Sequence, residues 1–302
     1  MKILILGAKG NLGQQLVKVF ANGNNVISWD RDEIDITDRE LVIKKINDIK
    51  PEAIINAAAY NAVDKCEADE DEFSKAKKLN GEALGYLAEA AIENNCLLIH
   101  YSTDYVFKGE KKKGYREDDA PSPINKYGET KLAGERAIIE LSHKSLKWYI
   151  IRTSKLFGSK GKSELAKPSF FDIILKKVSE LSGKDSNEAS INVVNAEVSC
   201  FTYTPDLARA TKKLINSDKG YGIYHITNSG SCTWYEAAKV LFKMADLHIK
   251  VNPVSGDKFS RPAKRPKYSV LLNTKIEPMR DWQDALKDYL LFMNNKFRPL
   301  IN

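Results

Sequence analysis

Lys2-Ile3-Leu4-Ile5-Leu6-Gly7-Ala8-Lys9-Gly10-Asn11-Leu12-Gly13 is the stretch that decides the fold. A short apolar run stops at a glycine, two more glycines follow at a spacing of three, and a helical pattern starts at once. Glycines there permit a tight turn and let backbone N–H groups approach a pyrophosphate at a helix N-terminus. Working outward, apolar strand-like runs at Lys2–Leu6, Asn25–Trp29, Ala53–Asn56, Leu97–Tyr101 and Trp148–Ile151 alternate with helical patterns at Asn11–Ala21, Asp38–Asp48, Glu72–Glu93 and Asn125–Leu141. That alternation predicts an α/β fold, a doubly wound parallel sheet of the Rossmann kind. Thr37 followed by Glu40 predicts a capping box for the second helix.

After Arg152 the rhythm breaks, and a second, smaller mixed α/β region is expected. The boundaries read as 1–155 for the dinucleotide-binding domain, completed by 191–227, and as 156–190 with 228–302 for a substrate-binding region. A strand at Ile191–Asn195 and a helix at Pro205–Asn216 are expected to return to the sheet. Trp282 and Leu286, four apart, read as core contacts.

Composition sets limits. The 302 residues carry 43% hydrophobic and 29% charged side chains, ordinary for a globular chain. The excess of 47 Lys and Arg over 40 Asp and Glu gives +7, a preference for anionic partners. No aromatic-interleaved basic stretch argues for nucleic acid. No run approaches the ~18 apolar residues of a membrane span, and the N-terminal run is too short for a signal, so a cytoplasmic location is expected. Cys66, Cys96, Cys200 and Cys232 are far apart, without metal-ligand spacing, and read as buried thiols; no metal is expected.

The glycine run, as G-x-x-G-x-x-G, resembles the extended short-chain dehydrogenase/reductase superfamily. Gly7, Gly10, Asn11, Leu12 and Gly13 are then expected at the cofactor. Asp30 ends the second strand, where a carboxylate accepts from a ribose and favours NADH. Arg31 follows, and a guanidinium there can meet a 2′-phosphate and favour NADPH. The two pull in opposite directions, so the cofactor is NADPH or NADH. Ala57, Ala58 and Ala59 leave room for the cofactor against the backbone. The resemblance further places Asp35 and Ile36 beside the adenine and Asn80 at the superfamily's usual asparagine position.

Tyr127-Gly128-Glu129-Thr130-Lys131 carries the chemistry. A gap of four puts phenol and ammonium on one helix face. A tyrosine poised near neutrality needs its pKa lowered by roughly 3 units, about 4 kcal/mol, and a nearby cation contributes to that. Thr103 ends the fourth strand, at the edge where doubly wound sheets bind ligands. Together the three suit carbonyl reduction: Tyr127 as general acid, Thr103 as hydrogen-bond donor to the carbonyl oxygen, Lys131 holding the nicotinamide ribose. Singly, each could be a strand-end hydroxyl, a surface ring or a solvated charge.

The segments Glu33 through Asp38, Asn56 through Lys65, Ser102 through Phe107 and Tyr127 through Lys131 resemble the dTDP-4-dehydrorhamnose reductase family, more thinly so after residue 155. That resemblance implies NAD(P)H-dependent reduction of the C4 ketone of a nucleotide-linked 4-keto-6-deoxysugar, serving surface polysaccharide synthesis. Thr103, Tyr127 and Lys131 would be catalytic, and Thr103 and Asp104 would touch the sugar. Tyr105 follows Asp104, so the adjacent carboxylate pair of the related dehydratases is incomplete.

Departures gather on the substrate side. Lys155 stands where the reductases usually carry tryptophan, Ala196 and Phe201 replace family residues, and Tyr268 stands where asparagine is common. Lys258, Arg261, Lys264, Arg265 and Lys267 form a basic segment suited to a diphosphate, with Arg265 the expected substrate contact. The expected partner is a nucleotide sugar, with a homodimer as the candidate assembly and neither nucleic acid nor membrane involved. Two other readings stay open: a dinucleotide-binding regulatory subunit resembling the β subunit of methionine adenosyltransferase, and a nucleotide-sugar epimerase.

Overall fold

A computed structural model describes residues 1–181 and 190–297, and the side chains of 294–297 are left undescribed. In chain order the strands are β1 (Lys2–Leu6), β2 (Asn25–Trp29), β3 (Ala53–Asn56), β4 (Leu97–Thr103), β5 (Lys147–Thr153), β6 (Leu156–Phe157), β7 (Ser190–Val194), β8 (Val198–Ser199), β9 (Thr202–Tyr203), β10 (Gly222–His225), β11 (Cys232–Thr233) and β12 (Lys250–Val254). The helices are α1 (Gly13–Phe20), α2 (Arg39–Ile49), α3 (Val63–Ala68), α4 (Glu70–Lys77), α5 (Ala83–Glu93), α6 (Lys126–Leu141), α7 (Phe170–Leu181), α8 (Thr204–Ile215), α9 (Trp234–Met244) and α10 (Trp282–Phe297).

Six strands form one parallel sheet in the order β2-β1-β3-β4-β5-β10. Because strand side chains alternate, each strand feeds two cores. Leu4, Leu6, Ile54, Leu98 and Ile150 pack under α2, α5 and α6. Ile3, Ile5, Ile55, Ile99 and Ile151 pack under α1 and α8, against Leu16, Phe20, Leu207 and Leu214. Burial on both faces is why these strands read as unbroken apolar runs. Leu16 is fully buried, and truncating it to alanine would cost about 2–5 kcal/mol.

The order reverses between β1 and β3, and such a switch point opens a crevice at the carboxyl ends of the strands. Strand lengths deepen it. β3 stops at Asn56, opposite His100, while β4 runs three residues further beside β5, so Thr103 overhangs the edge.

Several sequence expectations need correction. Of the 191–227 stretch expected to complete the sheet, β10 joins it and α8 packs on α1, but β7 pairs with β12 instead. Asp38, not Thr37, caps α2, accepting from Leu41 N at 3.0 Å; the Thr37 hydroxyl donates to Asp35. The single helix expected over Glu72–Glu93 is α4 and α5 joined by one π-helical turn, Lys78–Glu82. The smaller region has its own aromatic core, in which Trp282 and Leu286 are buried as expected. Part of it, 182–189 and 298–302, lies outside the described residues. All four cysteines are buried and free.

Candidate active site

The glycine loop is built by close approach. A Cβ on Gly13 would sit 2.0 Å from the Gly7 carbonyl oxygen. Gly7 itself has φ +72°, and a Cβ there would meet the Ala58 nitrogen at 2.6 Å. The loop thus lies directly on the Ala57–Ala58 backbone that follows β3. Beside it a cleft is lined by Gly7, Asp30, Arg31, Ile34, Asp35, Ile36, Ala58 and Leu79. Most of these match the expected cofactor residues; Ile34, within the Glu33–Asp38 segment, and Leu79 were not among them, and their place beside the cleft reveals them.

Asp30 and Arg31 divide their work. The Asp30 carboxylate accepts from Lys9 N at 2.9 Å and from Arg31 N at 2.9 Å, so it holds the loop. The Arg31 guanidinium makes no ion pair among the described residues and is free to meet an anion. Asn11 is turned the other way. Its amide donates to Lys167 O at 2.8 Å and accepts from Gly161 N at 2.7 Å, pinning the 159–167 segment over the loop.

Asn80 lies in the π-helical turn and is fully buried. Its oxygen accepts from Tyr60 N at 2.9 Å, and its nitrogen donates to Tyr60 O at 3.0 Å and Thr130 Oγ1 at 3.1 Å. It is therefore a clamp joining the segment after β3 to α6, one step behind the crevice.

The Thr103 hydroxyl acts on the Tyr127 phenol, while Lys131, four residues along the same helix α6, turns its amine to β4. Asn125 caps α6, accepting from Gly128 N at 2.8 Å. Gly128 lets the helix seat against the Tyr105 carbonyl, since a Cβ there would lie 2.3 Å from that oxygen. Tyr127 meets the Tyr105 ring edge-on at 6.0 Å, and its hydroxyl donates to Asn61 Oδ1 at 3.4 Å. Asn61 is a contact that the sequence did not flag.

The phenol does not behave as expected. Burial raises its pKa, the Asp104 carboxylate raises it further, and the Thr103 hydroxyl works in the opposite direction. Lys131 is not among the groups that act on it. That ammonium site is turned to Tyr101 O at 2.7 Å and His100 Nε2 at 3.1 Å, and burial draws its pKa down to about 7. The expectation that Lys131 lowers the Tyr127 pKa is corrected accordingly: both groups lie inside the fold, where losing water favours their neutral forms.

Asp104 is buried, accepting from Thr103 Oγ1 at 3.2 Å and from Ser269 Oγ at 2.6 Å; burial raises its pKa. Next to Tyr127 a second cleft is lined by Asn61, Ala62, Val63, Asp64, Lys65, Lys167 and Arg265. Arg265 grips Asp64 through two hydrogen bonds, 2.5 and 2.7 Å, while Lys167 donates to Asn61 O at 3.2 Å. Of the basic segment only Arg265 reaches this cleft. Arg261 is tied to Glu197 at 2.6 Å, and Lys258, Lys264 and Lys267 are exposed.

Lys155 acts on the Asp104 carboxylate, but its amine is turned into the interior. With φ +39°, it sends its amine inward to 3.8 Å from the Trp234 ring centroid and 5.0 Å from that of Phe201. The nitrogen is buried with no hydrogen-bond partner, and burial lowers its pKa to about 8. Phe201 belongs to the aromatic core rather than to a pocket wall. No group of His, Cys, Asp and Glu among the described residues could hold a metal ion, and no described helix is long and apolar enough to cross a membrane.

Comparison with known proteins places this geometry. Residues 1–294 match the family model described as RmlD substrate binding domain. A protein named dTDP-4-dehydrorhamnose reductase from Aggregatibacter actinomycetemcomitans is 36% identical, over 95% of this chain and 97% of that one. The spore coat polysaccharide biosynthesis protein SpsK of Bacillus subtilis (strain 168) is 34% identical over 96% of each. The crystal structure of dTDP-4-dehydrorhamnose reductase from Bacillus anthracis str. Ames in complex with NADP superposes with a TM-score of 0.87. It is 33% identical and covers 96% of this chain and 99% of that one. By fold, site geometry and sequence alike, the chain belongs to the dTDP-4-dehydrorhamnose reductase family.

Proposed function

We propose that this chain catalyses NAD(P)H-dependent reduction of the C4 ketone of a nucleotide-linked 4-keto-6-deoxysugar, in the service of surface polysaccharide synthesis. The observation that carries the reading is that the Thr103 hydroxyl acts on the Tyr127 phenol, with Lys131 one turn further along α6, beside a glycine loop seated on Ala58. The names of its relatives, and the NADP in one of their structures, support it.

The cradle fits a dinucleotide: two glycines that tolerate no Cβ, a backbone floor at Ala57–Ala59, and a free guanidinium at Arg31. When bound, reduced nicotinamide supplies the hydride. The chain's own residues do the rest. Tyr127 donates its phenolic proton to the developing alkoxide, and Thr103 donates a hydrogen bond to the same oxygen. A raised phenol pKa suits this direction, because the proton donor is loaded throughout the neutral range. Lys131 binds the ribose hydroxyls. Gly7, Gly10, Leu12, Gly13, Asp35, Ile36, Ala57, Ala58 and Ala59 form the cradle, with Asp30 and Asn11 holding its loops and Asn80 fixing α6 to it.

On the substrate side Thr103 and Asp104 face the sugar, and the cleft with Lys65, Lys167 and Arg265 offers positive charge for a diphosphate. Residues 156–190 and 228–302 make up that side, and the enzyme works in the cytoplasm. Asp104 stands without a second carboxylate, which favours simple reduction over dehydration.

The test is to incubate purified protein with NADPH or NADH and a panel of nucleotide 4-keto-6-deoxysugars, following the absorbance of the reduced cofactor. Consumption that disappears in Tyr127→Phe is expected. Tight dinucleotide binding without turnover of any sugar would sink the reading in favour of a regulatory subunit. Exchange of sugar stereochemistry without net cofactor oxidation would point to an epimerase.

A further inference from the structure

A line of polar groups runs inward from the cofactor floor to Lys131. Ala58 N–H donates to Asn56 Oδ1 at 3.1 Å. Asn56 Nδ2 lies 3.2 Å from His100 Nδ1, across the register that pairs these residues on β3 and β4. His100 Nε2 lies 3.1 Å from Lys131 Nζ, which also contacts Tyr101 O at 2.7 Å. All three side chains are buried, Asn56 and His100 completely. No water can adjust the count of donors and acceptors, so the protein atoms must settle it.

Counting hydrogens fixes each role. Ala58 N–H can only donate, so the Asn56 oxygen faces it and the Asn56 NH₂ faces the ring. An amide NH₂ only donates, so His100 Nδ1 must be bare. A neutral imidazole with Nδ1 bare carries its hydrogen on Nε2, and that hydrogen points at the Lys131 nitrogen. Only an uncharged amine has the lone pair to accept it. Lys131 then gives one of its own hydrogens to Tyr101 O.

One other arrangement satisfies the ring. Lys131 as ammonium donates to a bare Nε2, His100 carries its hydrogen on Nδ1, and the Asn56 amide turns over to accept it. The turned amide then presents NH₂ to Ala58 N–H, which loses its acceptor. The line therefore has two states, and the choice between them is made at Ala58 on the floor of the cleft.

We propose that Asn56 and His100 are positioning residues forming a two-state hydrogen-bond relay, through which occupancy of the floor at Ala58 sets whether Lys131 is an amine or an ammonium. The proposal rests on the reading that a dinucleotide lies on this floor and that Lys131 acts beside it. A ligand acceptor that takes over Ala58 N–H favours the turned amide, and Lys131 takes its proton from solvent. In the empty protein the amine state prevails.

The surrounding charges are consistent with this. Burial lowers the pKa of His100 well below 6.5, with Lys131 adding to it, so an imidazolium is not part of the cycle. Glu135, one turn further along α6, favours the charged lysine, but Arg152 on β5 holds that carboxylate through bonds of 2.9 and 2.7 Å. Asp104, beyond the end of β4, acts on Tyr127 rather than on Lys131.

Nitrogen-15 NMR of the histidine rings tests the empty state directly. Ligand-free wild type above neutral pH is expected to show His100 with its hydrogen on Nε2; finding it on Nδ1 overturns the relay. Calorimetry of NADPH binding at about pH 8, repeated in buffers of different ionisation enthalpy, tests the coupling. Wild type is expected to take up close to ~1 proton on binding. In Asn56→Asp the carboxylate accepts from both Ala58 N–H and His100 Nδ1–H, so Lys131 is charged beforehand and uptake should fall below half of the wild-type value. Equal uptake in two proteins that both bind NADPH overturns the relay. If Asn56→Asp fails to fold, the wild-type tautomer alone decides. Failure of wild type to bind NADPH would sink the dinucleotide reading instead, a distinct outcome.

Discussion

The two walls of the crevice are held in different ways. On the sheet side Thr103, Tyr127 and Lys131 each have hydrogen-bond partners within the β3, β4 and α6 neighbourhood, and Arg152 and Glu135 brace that helix from β5. On the lid side the charges are answered from far along the chain, Arg265 by Asp64 and Arg261 by Glu197, and Lys155, without a hydrogen-bond partner, by the Trp234 and Phe201 rings and electrostatically by Asp104 and Glu197. The sheet wall gains its order from strand register, which places a few side chains and fixes them. The lid wall gains its order from packing between distant segments, which can change one residue at a time. That difference fits a family in which the reaction is common and the sugar varies.

Four measurements would break or sharpen the contrast. Tyr127→Phe removes the proposed proton donor of the sheet wall, and kcat should fall about 10²- to 10⁴-fold with NADPH affinity unchanged. Turnover near the wild-type rate would mean that the chemistry lies elsewhere. Glu135→Ala strands a buried guanidinium, so urea unfolding should show a loss of about 3–5 kcal/mol. A loss under 1 kcal/mol would deny the brace its importance.

Smaller effects probe the margins. Arg31→Ala should raise KM for NADPH roughly tenfold, about 1.4 kcal/mol, and leave NADH little changed. Equal changes for both cofactors would remove Arg31 from the 2′-phosphate. On the lid wall, Lys155→Met replaces an unpartnered buried amine and should stabilise the protein by about 1 kcal/mol near neutrality. Its sign with pH follows from the folded value of about 8, below the ordinary 10.5. Between these values the unfolded chain holds a proton that the folded chain has lost, so wild-type stability rises with pH and the advantage of the variant shrinks. A constant advantage across that window would show the amine to be solvated after all.

Legibility in the sequence followed the same divide. The five main strands and their helices were readable because burial on both faces leaves apolar runs, and Gly7, Gly13 and Gly128 sit where backbones touch. Thr103 stood out because it ends β4, and Tyr127 and Lys131 because their spacing of four puts them on one face of α6. Asn61, Asn56 and Ser269 carry no role in the sequence, and His100, within an apolar strand, reads there only as a core or site-lining residue, since nothing in their spacing announces a partner that the fold alone supplies. Lys155 reads in the sequence as a substrate-side residue that changes the shape and charge of the pocket; the fold adds that the aromatic core behind it turns the amine inward, where it acts on Asp104. β7 pairs outside the main sheet because a five-residue strand with three apolar side chains carries no address for its pairing partner.

The sequence by itself determined the doubly wound sheet, the glycine loop and the spacing of Tyr127 and Lys131, because these depend on short-range rules: strand and helix periodicity, backbone clearance and helical spacing. Tertiary structure alone decided the charge states. Whether Tyr127 holds its proton tightly, and whether Lys131 is an amine or an ammonium, depends on exclusion of water and on hydrogen bonds from other strands. Both are set by atoms brought close in space and not by those close in sequence.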